Sequence, residues 1–91
     1  MKNIYTVELV TGDGMDAVDW DADGYDNALG SIYDAAREHS DRVGERVRIS
    51  KPVDGRGILY TITHNPISDE YDLYTEFSYR IYAAERAGVA K

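Results

Sequence analysis

The side chains best suited to chemistry in this sequence are six aspartates that lie within fourteen residues near the N-terminus: Asp13, Asp16, Asp19, Asp21, Asp23 and Asp26. No lysine, arginine or glutamate lies among them. Carboxylates gathered in this way can hold a hard cation such as Ca²⁺, or they can offer a strongly negative surface to a basic partner. The stretch therefore allows two kinds of chemistry, which require different backbone conformations.

Calcium binding requires a loop, and the spacing of Asp19, Asp21, Asp23 and Gly24 matches the first half of an EF-hand calcium loop. The match ends at Gly30, the position where a bidentate glutamate is needed to close the site. The residues before the motif also have the character of a strand rather than of a helix. A weak calcium-binding domain with Asp19, Asp21 and Asp23 as ligands is therefore one alternative.

Recognition of a basic protein requires an extended segment instead. On a strand, residues i and i+2 lie about 6.6 Å apart, a spacing comparable to that of successive phosphates along a nucleic-acid strand. Such a row of carboxylates would occupy the arginine and lysine groove of a nucleic-acid-binding protein. Under this hypothesis the partner-binding carboxylates are those of Asp16, Asp19, Asp21, Asp23 and Asp26.

Tyrosine is the second residue type in excess, with eight in the chain. If the segment from Leu73 to Tyr82 is a strand, simple alternation directs Tyr74 and Tyr82 outward together. Exposed tyrosines bordered by acidic residues are typical of protein-binding surfaces, because they offer apolar area at little cost in conformational entropy. We predict that Tyr74 and Tyr82 act as partner anchors, with ordinary packing of a small sheet as the alternative.

Composition narrows the classes of function. A chain of 91 residues forms one domain, and its net charge of −7 repels nucleic acid and anionic membranes. There is no cysteine and no long apolar N-terminal run, which favours a cytoplasmic protein. Neither His39 nor His64 has an acidic partner at ligand spacing, and no phosphate-binding loop or nucleophile motif is present. We therefore expect a protein without enzymatic activity or cofactor.

The elements that must position these residues follow from hydrophobic periodicity. Strands are predicted at residues 4–10, 16–22, 45–51 and 58–63, with glycine-rich hairpin turns at 11–14 and 54–57. A helix is predicted over about 27–40, capped by Asp23 or Asp26. Gly30 lies inside this helix and is interpreted as a point of close packing on the sheet.

The last third of the chain fits two structures. As a strand, the segment from Leu73 to Tyr82 alternates cleanly, and the element order is ββαβββ. As a helix over about 69–87, it gathers Leu73, Phe77 and Ile81 on one side, and the order becomes ββαββα. Its tyrosine, phenylalanine, threonine and isoleucine content favours the strand. The predicted fold is thus a small α+β domain with an antiparallel sheet of four or five strands and one helix on a face.

Three hypotheses for function follow. The first is a non-enzymatic, acidic protein-binding module that mimics nucleic acid and inhibits a basic nucleic-acid-binding protein. In size and charge the chain resembles the small acidic inhibitors of phages and mobile elements, including anti-CRISPR and anti-restriction proteins. The second is a small structural protein that self-associates through a sheet edge and its tyrosines. The third is the weak calcium-binding domain.

Overall fold

A computed structural model describes residues 3–84, in which one helix covers one face of a five-stranded antiparallel sheet. The elements, in chain order, are β1 (Ile4–Thr11), β2 (Ala17–Asp23), α1 (Tyr25–Val43), β3 (Arg48–Ile49), β4 (Arg56–Asn65) and β5 (Glu70–Ala83). This arrangement confirms the predicted α+β class and the order ββαβββ. The alternative C-terminal helix is wrong, because β5 is extended throughout; residues 85–87 of that helix lie outside the described residues.

The longest strand, β5, is the centre of the sheet, whose strand order is β2-β1-β5-β4-β3. It pairs with β1 on one side and with β4 on the other. Its alternating aromatic and β-branched side chains suit this position, because they pack well on a pleated surface. The two edges of the sheet are therefore the acidic strand β2 and the two-residue strand β3.

The helix α1 begins at Tyr25 and ends at Val43, so it is longer at both ends than predicted. Neither aspartate caps it: the N-cap residue is Gly24, whose φ of 86° favours glycine, and no side chain of residues 3–84 caps the first turn. Asp26 lies within that first turn, where a negative charge is favourable. No helix within residues 3–84 is both long enough and apolar enough to cross a membrane.

The core lies between α1 and the face of the sheet that it covers, which we call the helix face. Its buried residues are Val7, Leu9, Ala28, Ile32, Ala36, Leu59, Tyr79 and Ile81. Trp20 packs against this core from β2, and its indole N–H donates to Ser31 Oγ at 2.8 Å. Gly30 does not mark close packing: a Cβ placed there meets no atom within 4 Å. The opposite side of the sheet, which no element of residues 3–84 covers, is here called the open face.

A β-bulge in β5 reverses the alternation that the sequence predicts. Leu59 pairs with Phe77, but the next residue, Tyr60, pairs with Thr75, so Glu76 is an extra residue in β5. On the C-terminal side of the bulge, Arg80 and Tyr82 lie on the open face. On its N-terminal side, the odd-numbered residues from 71 to 75 lie on that face instead.

The strands β4 and β5 extend beyond the part of the sheet that α1 covers. There they form a two-stranded hairpin, residues 62–74, which we call the arm. Every residue of the arm is exposed. The rest of the described chain, which contains α1 and the core, is called the body.

Candidate protein-binding surface

Asp19, Asp21 and Asp23 lie in a row along the open face of β2, and all three are exposed. They share this face because Trp20 and Ala22, which alternate with them, pack toward the core. The extended backbone spaces them about 6.6 Å apart, so the row is about 13 Å long. We call these three residues the acidic row. β2 is an edge strand, so no other strand described in residues 3–84 lies outside the row.

The neighbouring strand β1 orders the row without neutralising it. Glu8 and Thr6 lie directly opposite Asp19 and Asp21. The Thr6 hydroxyl donates to Asp21 Oδ1 at 2.8 Å, which fixes that side chain by a neutral contact. Within residues 3–84, none of the three carboxylates of the row belongs to an ion pair. The row is therefore a line of exposed charge that its surroundings do not compensate.

Asp16 and Asp26, the other two predicted acidic contacts, lie at opposite ends of β2. Asp16 is exposed in the loop that leads into the strand, where its backbone N–H donates to Thr11 Oγ1 at 3.1 Å. Asp26 is exposed in the first turn of α1, in the helix layer rather than on the open face. These two residues therefore flank the acidic row but do not extend it in a straight line.

Asp13, in the same loop, has a structural role. Its Oδ1 atom accepts hydrogen bonds from the Thr11 hydroxyl at 2.7 Å and from the Met15 backbone N–H at 2.9 Å. These two donors hold the pKa of the Asp13 carboxyl below its ordinary value. Asp13 therefore fixes the β1–β2 turn and, with it, the register that aligns the acidic row.

The two predicted tyrosine anchors lie on opposite faces of the sheet because of the bulge. Tyr82 pairs with Thr6, which pairs with Asp21, so Tyr82 is on the open face about 10 Å from the acidic row. Tyr74 lies in the arm and pairs with Thr61, a buried residue of the helix face. A single partner surface laid on the open face therefore reaches Tyr82 but not Tyr74.

The extended geometry does not favour the calcium site. Asp19, Asp21 and Asp23 project in parallel from a strand, whereas a calcium loop folds its carboxylates around one point. Within the described part of the chain, no group of three or more histidine, aspartate or glutamate side chains is placed to hold a metal ion.

Basic and aromatic side chains occupy the middle of the open face. The Arg80 guanidinium lies over the Tyr82 ring, with 4.2 Å from its Cζ atom to the ring centroid. Glu8 Oε1 is 3.5 Å from Arg80 Nε, within the range of an ion pair. Among residues 3–84 this buried Nε atom finds no hydrogen-bond acceptor. Arg56 lies directly opposite Arg80 on β4. The open face is thus acidic along β2 and basic along β5 and β4.

Two histidine–carboxylate pairs were not predicted from the sequence. His39 Nε2 lies 2.9 Å from Glu76 Oε1, and both side chains are largely buried. The Thr61 hydroxyl, at 3.4 Å, donates to the other oxygen of Glu76. Simple alternation along β5 predicts that Glu76 points away from α1. The bulge turns Glu76 toward α1 instead, so its contact with His39 could not be predicted in this way. The pair joins α1 to the base of the arm.

The second pair stabilises the tip of the arm. His64 Nε2 lies 2.8 Å from Asp69 Oδ1, and the His64 ring lies against the Tyr71 ring with 4.7 Å between centroids. Asn65 Oδ1 accepts from the Ile67 backbone N–H at 2.9 Å within the same turn. A signal for this turn is present in the sequence, because Asn-Pro followed by Asp is typical of a tight reversal.

Comparison of this chain with protein-family models, with curated proteins and with solved structures finds no match.

Proposed function

We propose that this protein is a non-enzymatic binding module whose acidic row occupies a basic groove on a nucleic-acid-binding protein. The observation that carries the proposal is the line of Asp19, Asp21 and Asp23 on an edge strand, exposed and without an ion pair in residues 3–84. A groove that holds a phosphate backbone offers a matching line of arginine and lysine side chains. The spacing and sign of the row suit such a groove.

The electrostatics support a protein partner rather than nucleic acid itself. The net charge of −7 opposes approach to phosphate and attracts basic surfaces over a distance of about one Debye length, roughly 10 Å in ordinary buffers. Arg80, the cation nearest the row in the sheet, is already engaged by Glu8 and Tyr82. The aspartates of the row therefore keep their charge for an external partner.

A carboxylate row of this kind competes with nucleic acid for one groove, so its consequence for the partner is inhibition. We therefore propose, more finely, an inhibitor of the anti-CRISPR or anti-restriction kind, active in the cytoplasm of a bacterial host. Tyr82, which lies on the same face as the row, is the aromatic residue placed to add apolar contact at its border. Tyr74 lies on the other face and would not take part.

The experiment that tests this proposal is capture of partners from a bacterial lysate on immobilised protein, at low and at high salt. The test variant carries Asp19→Asn, Asp21→Asn and Asp23→Asn, which keep the side-chain shape and remove three charges. We expect wild type to capture a basic nucleic-acid-binding protein and the variant to lose at least about tenfold in affinity, because close charge pairs at interfaces contribute more than 1 kcal/mol each. Added duplex DNA or RNA should compete for the captured protein.

A matched control removes the same number of charges elsewhere. Asp34→Asn, Asp41→Asn and Asp54→Asn change exposed residues of α1 and of the β3–β4 turn, and asparagine tolerates the positive φ of 53° at Asp54. This variant should bind as wild type does. Equal loss in both variants would reduce the effect to net charge, and full binding by a folded row variant would refute the proposal.

A further inference from the structure

We infer that two copies of this chain pair through their open faces, the arm of each lying on the body of the other. This interface uses β4 and β5 and is independent of the acidic row, which lies on β2 at the far edge of the sheet. It covers Tyr82, so a dimer would meet a basic partner through the acidic row without that aromatic contact. The inference therefore does not rest on the proposed function. It rests on four properties of the open face: an arm without support, its apolar surface, a receptive concavity and the dimensions of the two halves.

The arm lacks the layers that stabilise a sheet. The pairing of β1 with β5 stops at Phe77, and that of β3 with β4 reaches only Tyr60, so within the described residues the arm consists of two strands. A two-stranded hairpin is marginally stable in water and requires a packed face for independent stability. α1 does not supply this face, since every residue of the arm is exposed.

The open face of the arm is apolar apart from His64, whose ring lies against that of Tyr71. Tyr71, Leu73 and Ile62 lie there and are 70%, 56% and 42% exposed. The acidic residues Glu70 and Asp72 lie on the other face, because the bulge sets the alternation of this half of β5. A basic partner would be drawn to that other face, whereas the open face offers apolar and aromatic area to a surface of similar character.

The body presents such a surface on its own open face. A concavity of about 640 Å³ lies between β1, β5 and β4, with Val10, Ile58 and Val53 as its apolar lining. Arg56 and Arg80 stand opposite each other at its border. Glu8 and Tyr82 already engage Arg80, whereas Arg56 belongs to no ion pair within residues 3–84. Like charges directly opposite on neighbouring strands are unfavourable, and an aromatic ring laid over Arg56 offsets part of this cost. Tyr71 of a second copy supplies that ring.

The two halves of the open face have matching lengths. From Glu70 to Thr75 the arm half of β5 spans about 20 Å, and from Phe77 to Ala83 the body half spans about 23 Å. A two-fold axis that crosses the strands near Glu76 therefore places each arm on the other body, with the sheets about 10 Å apart. The interface is isologous and closes as a dimer, without leading to fibres.

The area is that of a weak dimer. A face about 46 Å long and two strands, or about 10 Å, wide gives about 460 Å² per copy. The total of about 900 Å² is typical of weak or transient complexes, so the dimer should form only at high protein concentration. Neither arm reaches the acidic row in this arrangement, because the row belongs to the edge that the partner's two-stranded arm does not cover.

Sedimentation of the wild-type protein and of two variants over a range of concentration tests this inference. Leu73→Asp places a charge on the open face of the arm, and Tyr74→Asp places the same charge one residue away on the other face. Both residues are well exposed, at 56% and 66%, so both variants should fold. We expect a wild-type dimer, an at least thirtyfold weaker dimer for Leu73→Asp, about the effect of losing one interface hot spot, and little change for Tyr74→Asp.

Circular dichroism and thermal unfolding would establish whether each variant is folded. If Leu73→Asp does not fold, Tyr71→Ser, which also lies on the open face, takes its place and should likewise weaken the dimer. A wild-type monomer at every concentration would overturn the inference, as would a loss of dimer with Tyr74→Asp that equals the loss with Leu73→Asp. The variant of the acidic row with three asparagines should remain dimeric, so failure of the proposed function and failure of this inference are distinguishable.

Discussion

At the scale of single residues, Gly30 offers the most direct test of the helix. It lies in the middle of α1 without a positive φ, and a Cβ at this position meets open space. Gly30→Ala should therefore raise the free energy of unfolding by about 0.5–1 kcal/mol, since alanine loses less backbone entropy on folding. Urea unfolding at neutral pH measures the change.

The matched control for this prediction is Gly24→Ala. Here a Cβ also meets open space, but φ is 86° and ψ is 155°, a conformation that L-amino acids rarely adopt. The same substitution should therefore destabilise the protein. If both variants changed stability in the same direction, backbone conformation would not be the property that separates the two positions.

Tyr79 makes stability depend on pH in the alkaline range. Burial of its phenol raises the pKa above the ordinary value, although the hydrogen bond that its hydroxyl donates to Ser50 O, at 2.7 Å, works in the opposite direction. A raised pKa in the folded state means that its contribution to stability is complete below about pH 10 and is lost as the pH rises through the folded pKa. The protein should therefore unfold more readily above about pH 10.

Tyr79→Phe separates the contribution of the hydrogen bond to Ser50 from that of the ionisation of the phenol. It should cost about 1 kcal/mol at neutral pH, because the Ser50 carbonyl loses its donor. Its stability should then fall less steeply than that of wild type between about pH 9 and pH 11. Urea unfolding across this range checks both outcomes, with the exposed Tyr74→Phe as control; identical slopes in wild type and Tyr79→Phe would contradict the prediction.

At the scale of elements, the contact of α1 with the base of the arm depends on Glu76. Its carboxylate accepts from the buried Thr61 hydroxyl and lies against His39. Glu76→Ala should lower the free energy of unfolding by about 1–2 kcal/mol, because it leaves these polar groups without their partner. Glu76→Gln should recover part of the loss, and Glu70→Ala, in the exposed arm, should cost little. If Glu76→Ala left the free energy of unfolding unchanged, the contact between His39 and Glu76 would not be what holds α1 to β5.

Periodicity predicted the elements well where each is locally uniform. The alternation in β5 identified a strand because its β-branched and aromatic residues agree with that pattern over ten residues. The same alternation failed to assign faces across Glu76, since a bulge adds one residue and the signal for it lies in the pairing with β4. The start of α1 was also misplaced, because the backbone of Gly24 rather than an aspartate side chain ends the preceding loop.

At the scale of the whole molecule, the acidic row could be predicted from the sequence, whereas the contacts between residues far apart in the chain could not. Three aspartates alternating with Trp20 and Ala22 predict one charged face from local spacing alone. The pairing of His39 with Glu76 joins residues 37 positions apart, and the position of Arg80 opposite Arg56 depends on the register of two strands. Such contacts are properties of the tertiary fold, which a single sequence does not display.

The bulge has a consequence for how this protein can change over time. Loss of the single codon for residue 76 would remove the extra residue of β5 and leave its pairs with β4 as they are, from Leu59 with Phe77 to Asn65 with Glu70. Tyr71 and Leu73 would stay on the open face, and the carboxylate that meets His39 would be lost. A lineage carrying this fold can therefore discard the contact between α1 and the base of the arm in a single heritable step, without changing either surface of the arm.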